Sequence, residues 1–486
     1  MKLYFTGHGE HYAVEQSLLT LFPGERPVYP EYPPGGDNEL ELSLVEGPDS
    51  FSARALLRRD SGSYEAHSHV PLPTGAQDAV TLTRLRRRCL QEAFYLAATA
   101  QLGYEPPWGM LSGVRPVKLP VRAVLGGATF QEAEAQLRDL YRVSPGRRAL
   151  AMDCARAALS VKDSLRPEEI SLYLGIPFCP TRCAYCSFIS AAGQDHRLME
   201  PYLEVIHGEI RAAGERLGEL GLSIRSVYIG GGTPTTLSPS QLTALMTAVR
   251  EAFSLPLNTE FTVEAGRPDT MTREVLEAIR QEGGNRISLN PQSMSDQVLR
   301  TIGRAHSAAD TLRAWELVRR MSFHTVNMDL IAGLPGDDLP GFQDTLQQIL
   351  ALSPENVTVH TLAKKRGSRL KEEGGEVPSG TVVAEMLDFA WEALREASYL
   401  PYYLYRQKFM SGALENVGWC KDGHLGVYNI CMMEELHTVL SLGAGGVTKL
   451  IDYERGTLRR LSNPKYPQEY IREGPRMIQE KRTLLL

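Results

Sequence analysis

Residues 175–188 read Gly-Ile-Pro-Phe-Cys-Pro-Thr-Arg-Cys-Ala-Tyr-Cys-Ser-Phe, which places Cys179, Cys183 and Cys186 in a C-x3-C-x2-C array. At this spacing one loop can wrap three thiolates around a single [4Fe–4S] cubane. Four irons with three protein ligands leave one iron open to a small chelating molecule, whereas electron-transfer clusters are ordinarily closed by four cysteines. A zinc loop is the alternative reading. It calls for a fourth Cys or His close by, and the next histidine, His196, lies ten residues past Cys186 with no paired ligand. Cys89, Cys154, Cys420 and Cys431 share no such spacing and read as small buried hydrophobes.

Outward from the array, short β-rich runs alternate with amphipathic helical stretches. Strands are predicted at 171–177, 226–230, 260–264, 286–289, 325–331 and 356–360, with helices at 199–217, 239–253, 273–282, 308–321 and 340–350. Parallel neighbours need crossover connections, so six β-α units in series predict a parallel sheet. A partial (β/α)6 barrel over 169–377 is the expected closure. Before it, residues 1–75 read as a small α/β domain: a strand and a helix within 1–28, a Pro/Gly-rich loop at 29–37, then strands at 39–45 and 51–58. Residues 76–168 turn helical, as at 85–102 and 129–141, with a proline-containing break at 106–116. Residues 378–486 follow the barrel as an α+β domain with one clear helix at 382–397. The fold class is therefore α/β, a barrel with an N-terminal α/β plus helical extension.

The whole chain has 486 residues, 43% hydrophobic and 23% charged, with a formal net charge of -6. That acidic balance gives no electrostatic reason to expect nucleic acid as a partner, and it disfavours an RNA-modifying role. The basic run at 84–88 reads as a solvated helix face. The amino terminus lacks the apolar core of a signal peptide. No run approaches the roughly 18 apolar residues of a membrane span, and the expected localisation is cytoplasmic. Seven cysteines is an odd number, three of them within eight positions. In a reducing compartment that clustering favours metal ligation over a disulfide framework.

Chemistry in (β/α) barrels sits at the carboxyl ends of the strands. The second predicted strand ends in Gly230-Gly231-Gly232-Thr233, the third in Glu264, the fourth in Asn290-Pro291-Gln292, and the fifth carries Asp329 and Ile331. Each feature alone is ordinary, a tight turn or a loop charge. Their succession at consecutive strand ends is the signal.

With Tyr173 six residues before Cys179 and Ile176-Pro177-Phe178 leading into it, the array resembles the radical S-adenosylmethionine (SAM) superfamily. Within that superfamily it is similar to the oxygen-independent coproporphyrinogen III oxidase group of HemN, HemW and HemZ. Segments 404–408, 415–419 and 443–447, and the long amino-terminal extension with its run at 113–118, resemble the HemZ branch most. The resemblance implies a [4Fe–4S] cluster on Cys179, Cys183 and Cys186. It implies SAM contacts from Tyr173, Tyr185, Gly231, Gly232, Thr233, Glu264, Gln292, Arg304, Asp329 and Ile331. Among these the glycine segment takes the methionine amino group, Arg304 the carboxylate and Asp329 the ribose, while Ile331 and Tyr185 lie beside the adenine. The implied activity is oxidative decarboxylation of coproporphyrinogen III to protoporphyrinogen IX, with a porphyrinogen substrate and a reductant such as flavodoxin or ferredoxin. Arg115, Arg406 and Lys408 are candidate cations for the tetrapyrrole carboxylates.

Two departures bear on activity. The oxidase proper carries a fourth cysteine where this chain has Phe188, and a histidine where it has Gly175. A haem-binding and haem-delivery role of the HemW kind is the competing expectation, with His360, His424 and His437 as candidate axial ligands.

Overall fold

Alternation of buried and more exposed side chains, clearest along one central strand, builds the first sheet. In the computed structural model, which describes all residues except 76–77, 188–190, 193–195, 366, 408–410, 453–456 and 485–486, Lys2–Thr6 (β1), Glu39–Glu46 (β2), Ser50–Arg59 (β3) and Gly62–Pro71 (β4) pair in that order. Phe51, Ala53, Ala55 and Leu57 of β3 all turn inward, as period-2 geometry dictates. Helices His11–Leu21 and Ala79–Leu102 supply Leu18, Leu90 and Phe94 to the same core. The longer helix starts where Asp78 accepts from the Thr81 amide and ends at Gly103, in the left-handed region. Strand β4 was not expected. Its sequence carries little apolar alternation, and its hairpin turns on Asp60 and Ser61, both at positive φ, without the usual glycine.

Chain contacts divide the molecule into two units, Met1–Leu150 and Ala151–Leu486. In the second unit Glu169–Ile176 (β5) leads directly into Phe178–Cys179 (β6), which pairs with Ala191–Ala192 (β7). The barrel strands follow as Ser223–Gly231 (β8), Glu260–Glu264 (β9), Arg286–Gln292 (β10), Thr325–Ala332 (β11) and Asn356–Thr361 (β12). β5 and β8–β12 run parallel in sequence order, the partial barrel expected. The helices between β8 and β12 begin on side-chain caps, among them Ser238 with Gln241 and Ser307 with Asp310, whereas Met199–Glu219, between β5 and β8, starts without one.

The α+β part after the barrel extends the same sheet at both edges. Leu400–Arg406 (β13) and Glu415–Cys420 (β14) add antiparallel strands beyond β12. Val439–Gly443 (β15) pairs in parallel with β5, followed by Val447–Asp452 (β16) and Thr457–Ser462 (β17). At this second edge Gly175 faces Gly443, and a Cβ on Gly175 would stand 2.6 Å from the Ala444 carbonyl oxygen. Any side chain at 175 is thus excluded by the strand that packs against it. Among the described residues no helix is long and apolar enough to cross a membrane.

In the turn after β11, the buried Asp337 carboxyl accepts from the Asp338 amide through one oxygen, and its other oxygen has no hydrogen-bond partner. Burial, with Asp338 beside it, pushes this group up to about 6. The folded state therefore holds the proton more tightly than the unfolded chain, so the stability it confers is present at low pH and lost as pH rises through 6. Asp337→Asn is expected to stabilise the protein by about 2 kcal/mol at pH 8 and far less at pH 4.5. Thermal melts at the two pH values check this, and an equal gain at both would contradict it.

Candidate active site

The carboxyl ends of β5 and β8–β12 open into one cavity of about 440 Å³, within the size range of small-molecule sites. Every cysteine of the array lies on its wall, as do Gly231, Gly232, Thr233, Glu264, Asn290, Gln292, Asp329 and Ile331 from the strand ends; Gly230 and Pro291 do not. The cysteine loop is fastened by backbone hydrogen bonds: Thr233 N to Phe178 O at 2.7 Å, Ala184 N to Ile302 O at 2.9 Å, and Leu370 N to Ala184 O at 2.9 Å. Donors face the sulfurs. The Thr233 hydroxyl stands 3.6 Å from Cys179 Sγ, and the Arg267 guanidinium 3.8 Å from Cys183 Sγ. Arg267 is itself held by Asp269 at 3.0 Å and by the Thr181 hydroxyl at 3.0 Å.

This donor set fits an iron–sulfur cubane. Three thiols share one wall, with a cation and a hydroxyl directed at them, and each would take a separate iron. Among the described residues no three His, Cys, Asp or Glu side chains converge as the ligands of a single ion would.

The adjoining wall is polar and incompletely satisfied. Gly231 adopts φ +107°, and a Cβ on Gly232 would meet Phe178 O at 2.5 Å, so backbone alone passes between β8 and the cysteine loop. Glu264 accepts from Gly231 N at 3.1 Å and from the Tyr228 hydroxyl at 2.7 Å. Enclosure in the cavity and the nearby Asp329 charge push its carboxyl up to about 7 despite those two donors. Gln292 sits at φ +69° with a buried Oε1 that has no partner, a strained position of the kind that functional sites retain. Arg304 donates to Gly266 O and to the Tyr185 hydroxyl, while its buried Nε is unpartnered. Asn327 donates to Asp329 Oδ1 at 2.7 Å, and His360 Nε2 lies 3.6 Å from Asp329 Oδ2. Ile331 and Tyr185 belong to one apolar cluster with Leu334 and Leu362. A carboxylate, an arginine with a spare donor, a free amide oxygen and an apolar slot together suit a ligand bearing an ammonium, a carboxylate and a flat ring.

Several wall residues escaped the sequence reading. Tyr228 and Tyr428 stack on the expected Tyr173, with the Tyr228 and Tyr428 rings 4.6 Å apart. Tyr228 lies two residues before Gly230 on the same face of β8, a phase that could have flagged it. Tyr428, Arg267 and Lys365 carry no such local signal.

Some expected residues sit elsewhere. Arg406 is buried and donates twice to Ala413 O; burial pushes its guanidinium down to about 10, and it is not on the cavity wall. Its strand turns it inward, so the cation expected to meet substrate carboxylates is not there. His424 bonds Thr325 at the amino-terminal end of β11, and His437 bonds Ser171 near that end of β5, both away from the mouth. Of the three histidines only His360 reaches the cavity. Arg115 belongs to the Met1–Leu150 unit. Phe188 and Lys408 lie outside the described residues.

The radical SAM superfamily profile matches residues 173–349, and the chain belongs to that superfamily, whose cofactors are a [4Fe–4S] cluster and SAM. More narrowly it belongs to the HemN/HemW/HemZ group. It is 38% identical over 378 residues to the oxygen-independent coproporphyrinogen-III oxidase-like protein HemZ of Bacillus subtilis, covering 76% of this chain and 75% of that protein. The heme chaperone HemW of Haemophilus influenzae is 27% identical over 314 residues, 64% of this chain and 78% of that one. Among solved structures, coproporphyrinogen III oxidase HemN from Escherichia coli aligns with a TM-score of 0.53 at 21% identity, over 66% of this chain and 73% of that one, a likeness of fold.

Proposed function

We propose that the chain catalyses oxygen-independent, SAM-dependent oxidative decarboxylation of coproporphyrinogen III to protoporphyrinogen IX. The observation that carries the proposal is the convergence on one cavity of the three thiols and the strand-end residues, in a chain similar to an oxidase-like HemZ along most of its length. Cys179, Cys183 and Cys186 hold the cluster. Glu264, with the Gly231–Thr233 backbone, receives the methionine ammonium, and the spare Nε of Arg304 suits the carboxylate. Gln292 offers its free oxygen to the same ligand. Asp329, steadied by Asn327, accepts from ribose hydroxyls, and Tyr185 and Ile331 enclose the adenine. Tyr173, stacked on Tyr228, lines the same cavity and would pack against the ligand there.

When bound, the cluster and SAM would supply the one-electron chemistry that removes an unactivated propionate β-hydrogen, and the conversion of propionate to vinyl would release carbon dioxide and pass one electron to an external one-electron acceptor. The protein holds the reactants in line and keeps quenchers out. The test is an anaerobic assay of reconstituted protein with SAM, a reductant and coproporphyrinogen. Protoporphyrinogen and 5′-deoxyadenosine should accumulate together. Deoxyadenosine without porphyrin product would refute the substrate assignment.

One observation favours a second reading, haem binding and delivery of the HemW kind. His360 is the one of the three candidate axial ligands on the cavity wall, its Nε2 3.6 Å from Asp329 Oδ2 and its Nδ1 3.5 Å from the Tyr405 hydroxyl. It predicts one haem per chain, a Soret band altered by His360→Ala, and no porphyrin product.

Arg267 yields a separate expectation. A cation beside a thiolate ligand stabilises the more negative, reduced cluster. Arg267→Gln should lower the cluster midpoint potential by about 60 mV, a tenfold change for one electron. Potentiometric titration followed by electron paramagnetic resonance reads it, and an unchanged potential would remove Arg267 from this role.

A further inference from the structure

Four strands end the two larger sheets, and three of them carry a feature that hinders another chain from adding on. β1 is five residues long, and Val28 bridges onto Lys2 on the side away from β2. β13 carries Pro401 and slips register just after it, and β17 carries Arg459 and Arg460. β4 has none of these. Gly62–Pro71 is ten residues long, keeps register with β3 throughout, and contains no Lys, Arg or Pro before Pro71. Its backbone phase follows from its turn. Arg59 and Gly62 close a two-residue hairpin as a hydrogen-bonded pair, and bonded pairs then recur at every second residue. The Leu72 amide donates to the Asp49 carbonyl at 2.8 Å in the same phase. Ser63, Glu65, His67 and His69 therefore turn their N–H and C=O groups away from β3, and all four residues are exposed. On the opposite face Tyr64 and Ala66 are only partly buried against the core.

From this we infer that β4 pairs antiparallel with β4 of a second copy of this chain, joining two four-stranded sheets across a two-fold axis at Ala66. A two-fold antiparallel pair must set outward-facing residues opposite one another, which leaves few registers. With Ala66 on the axis, Glu65 lies opposite His67 of the second copy, and Ser63 lies opposite its His69. All four outward residues of each chain are then bonded, and each carboxylate meets an imidazole that can donate to it. Shifting toward the turn sets Glu65 against Glu65, and like charges directly opposite are unfavourable. Shifting the other way sets Ser63 against Pro71, which has no N–H to give. Within one chain Arg54 already holds Glu65 at 2.8 Å and His67 lies 3.0 Å from it, so the carboxylate is fixed in place before a second copy arrives. The same register brings Ala66 against Ala66 and Tyr64 against Ser68, covering the two half-buried side chains. That self-complementary order of charges points to a copy of this chain rather than to an unrelated strand. Nothing in it depends on the cluster or on the substrate.

Sedimentation equilibrium of the full chain should show a monomer–dimer equilibrium. His67→Pro removes an outward N–H and leaves the ladder to β3 intact. It should weaken the dimer about tenfold or more, with the far-ultraviolet circular dichroism unchanged. His67→Glu sets like charges opposite each other twice and should weaken the dimer about tenfold, whereas His67→Lys should dimerise at least as well as wild type. Register is read from Glu65→Cys, Ala66→Cys and His67→Cys, each oxidised mildly beside wild type as the control for the native thiols. Residue 66 of one chain faces residue 66 of the other across an unbonded pair, with Cα atoms about 4.5 Å apart. Only Ala66→Cys should therefore give a disulfide-linked dimer. A chain that stays monomeric up to about 100 µM would overturn the inference. So would a dimer as strong in His67→Pro and His67→Glu as in wild type, which would put the interface elsewhere. A disulfide formed at 65 or 67 in preference to 66 would overturn the register, and with it the pairing of Glu65 with His67.

Discussion

A protein in which Cys179, Cys183 and Cys186 are all replaced by alanine should fold, take up no [4Fe–4S] cluster, and release no 5′-deoxyadenosine from SAM. Folding should survive because the loop is tied by backbone groups, through Thr233, Ile302 and Leu370, rather than by its sulfurs. The cluster should not survive, because the remaining cysteines cannot substitute. Cys89, Cys154, Cys420 and Cys431 are all buried, and burial pushes the Cys420 thiol up to about 12, far from the thiolate that iron requires. Each single substitution leaves two thiols for a cubane and should also reduce deoxyadenosine formation to background. The reciprocal variant, with the four buried cysteines replaced by alanine, should keep a full complement of iron and sulfide, at a cost in stability of about 1 kcal/mol per site. Iron and sulfide analysis, electron paramagnetic resonance and circular dichroism decide the matter. A cubane signal retained in the triple variant would sink the reading of the whole site.

Local chemistry was the most legible part of this sequence. The cysteine spacing lies within one loop, and the barrel strands announce themselves as short β-rich runs, largely buried, between amphipathic helices. Arg286–Gln292 is buried at every position. Pairings made across long stretches of chain were not legible. Nothing near Gly175 indicates that Gly443 will lie against it, although that contact excludes a histidine there. The edge strand Leu400–Arg406 is rich in tyrosine without clean alternation, so its inward turn of Arg406 was hidden. Tyr428 reaches the site from beyond the barrel and has no marker but its fold. Arg267 has no marker in the sequence either, and its distance to Cys183 Sγ sets it apart.

Glu264→Gln is the substitution expected to separate binding from stability. In the SAM-free protein the carboxyl titrates at about 7, raised first by enclosure in the cavity and then by Asp329. An ammonium is received by the ionised form, so apparent SAM affinity should rise about tenfold between pH 6 and pH 8 and level off above it. Glutamine cannot ionise, and it forfeits a hydrogen bond between charged groups worth about 1.5–3 kcal/mol. Affinity at pH 8 should therefore fall by roughly 10- to 100-fold and lose its pH dependence. Stability should move the other way. A carboxyl raised in the folded state adds stability at low pH that is lost as pH rises through 7, so the cofactor-free wild type carries an unfavourable buried charge at pH 8 that the variant lacks. Its melting temperature should exceed that of wild type at pH 8 and match it at pH 5. Stability exchanged for a poised binding group is a pattern expected of functional sites. Equilibrium dialysis with SAM across the pH range, paired with melts of the cofactor-free proteins, tests both halves. A variant whose affinity still climbs between pH 6 and 8 would assign the titration to another group, and one that melts lower at pH 8 would mean that Glu264 holds the cavity together rather than waiting for a cation.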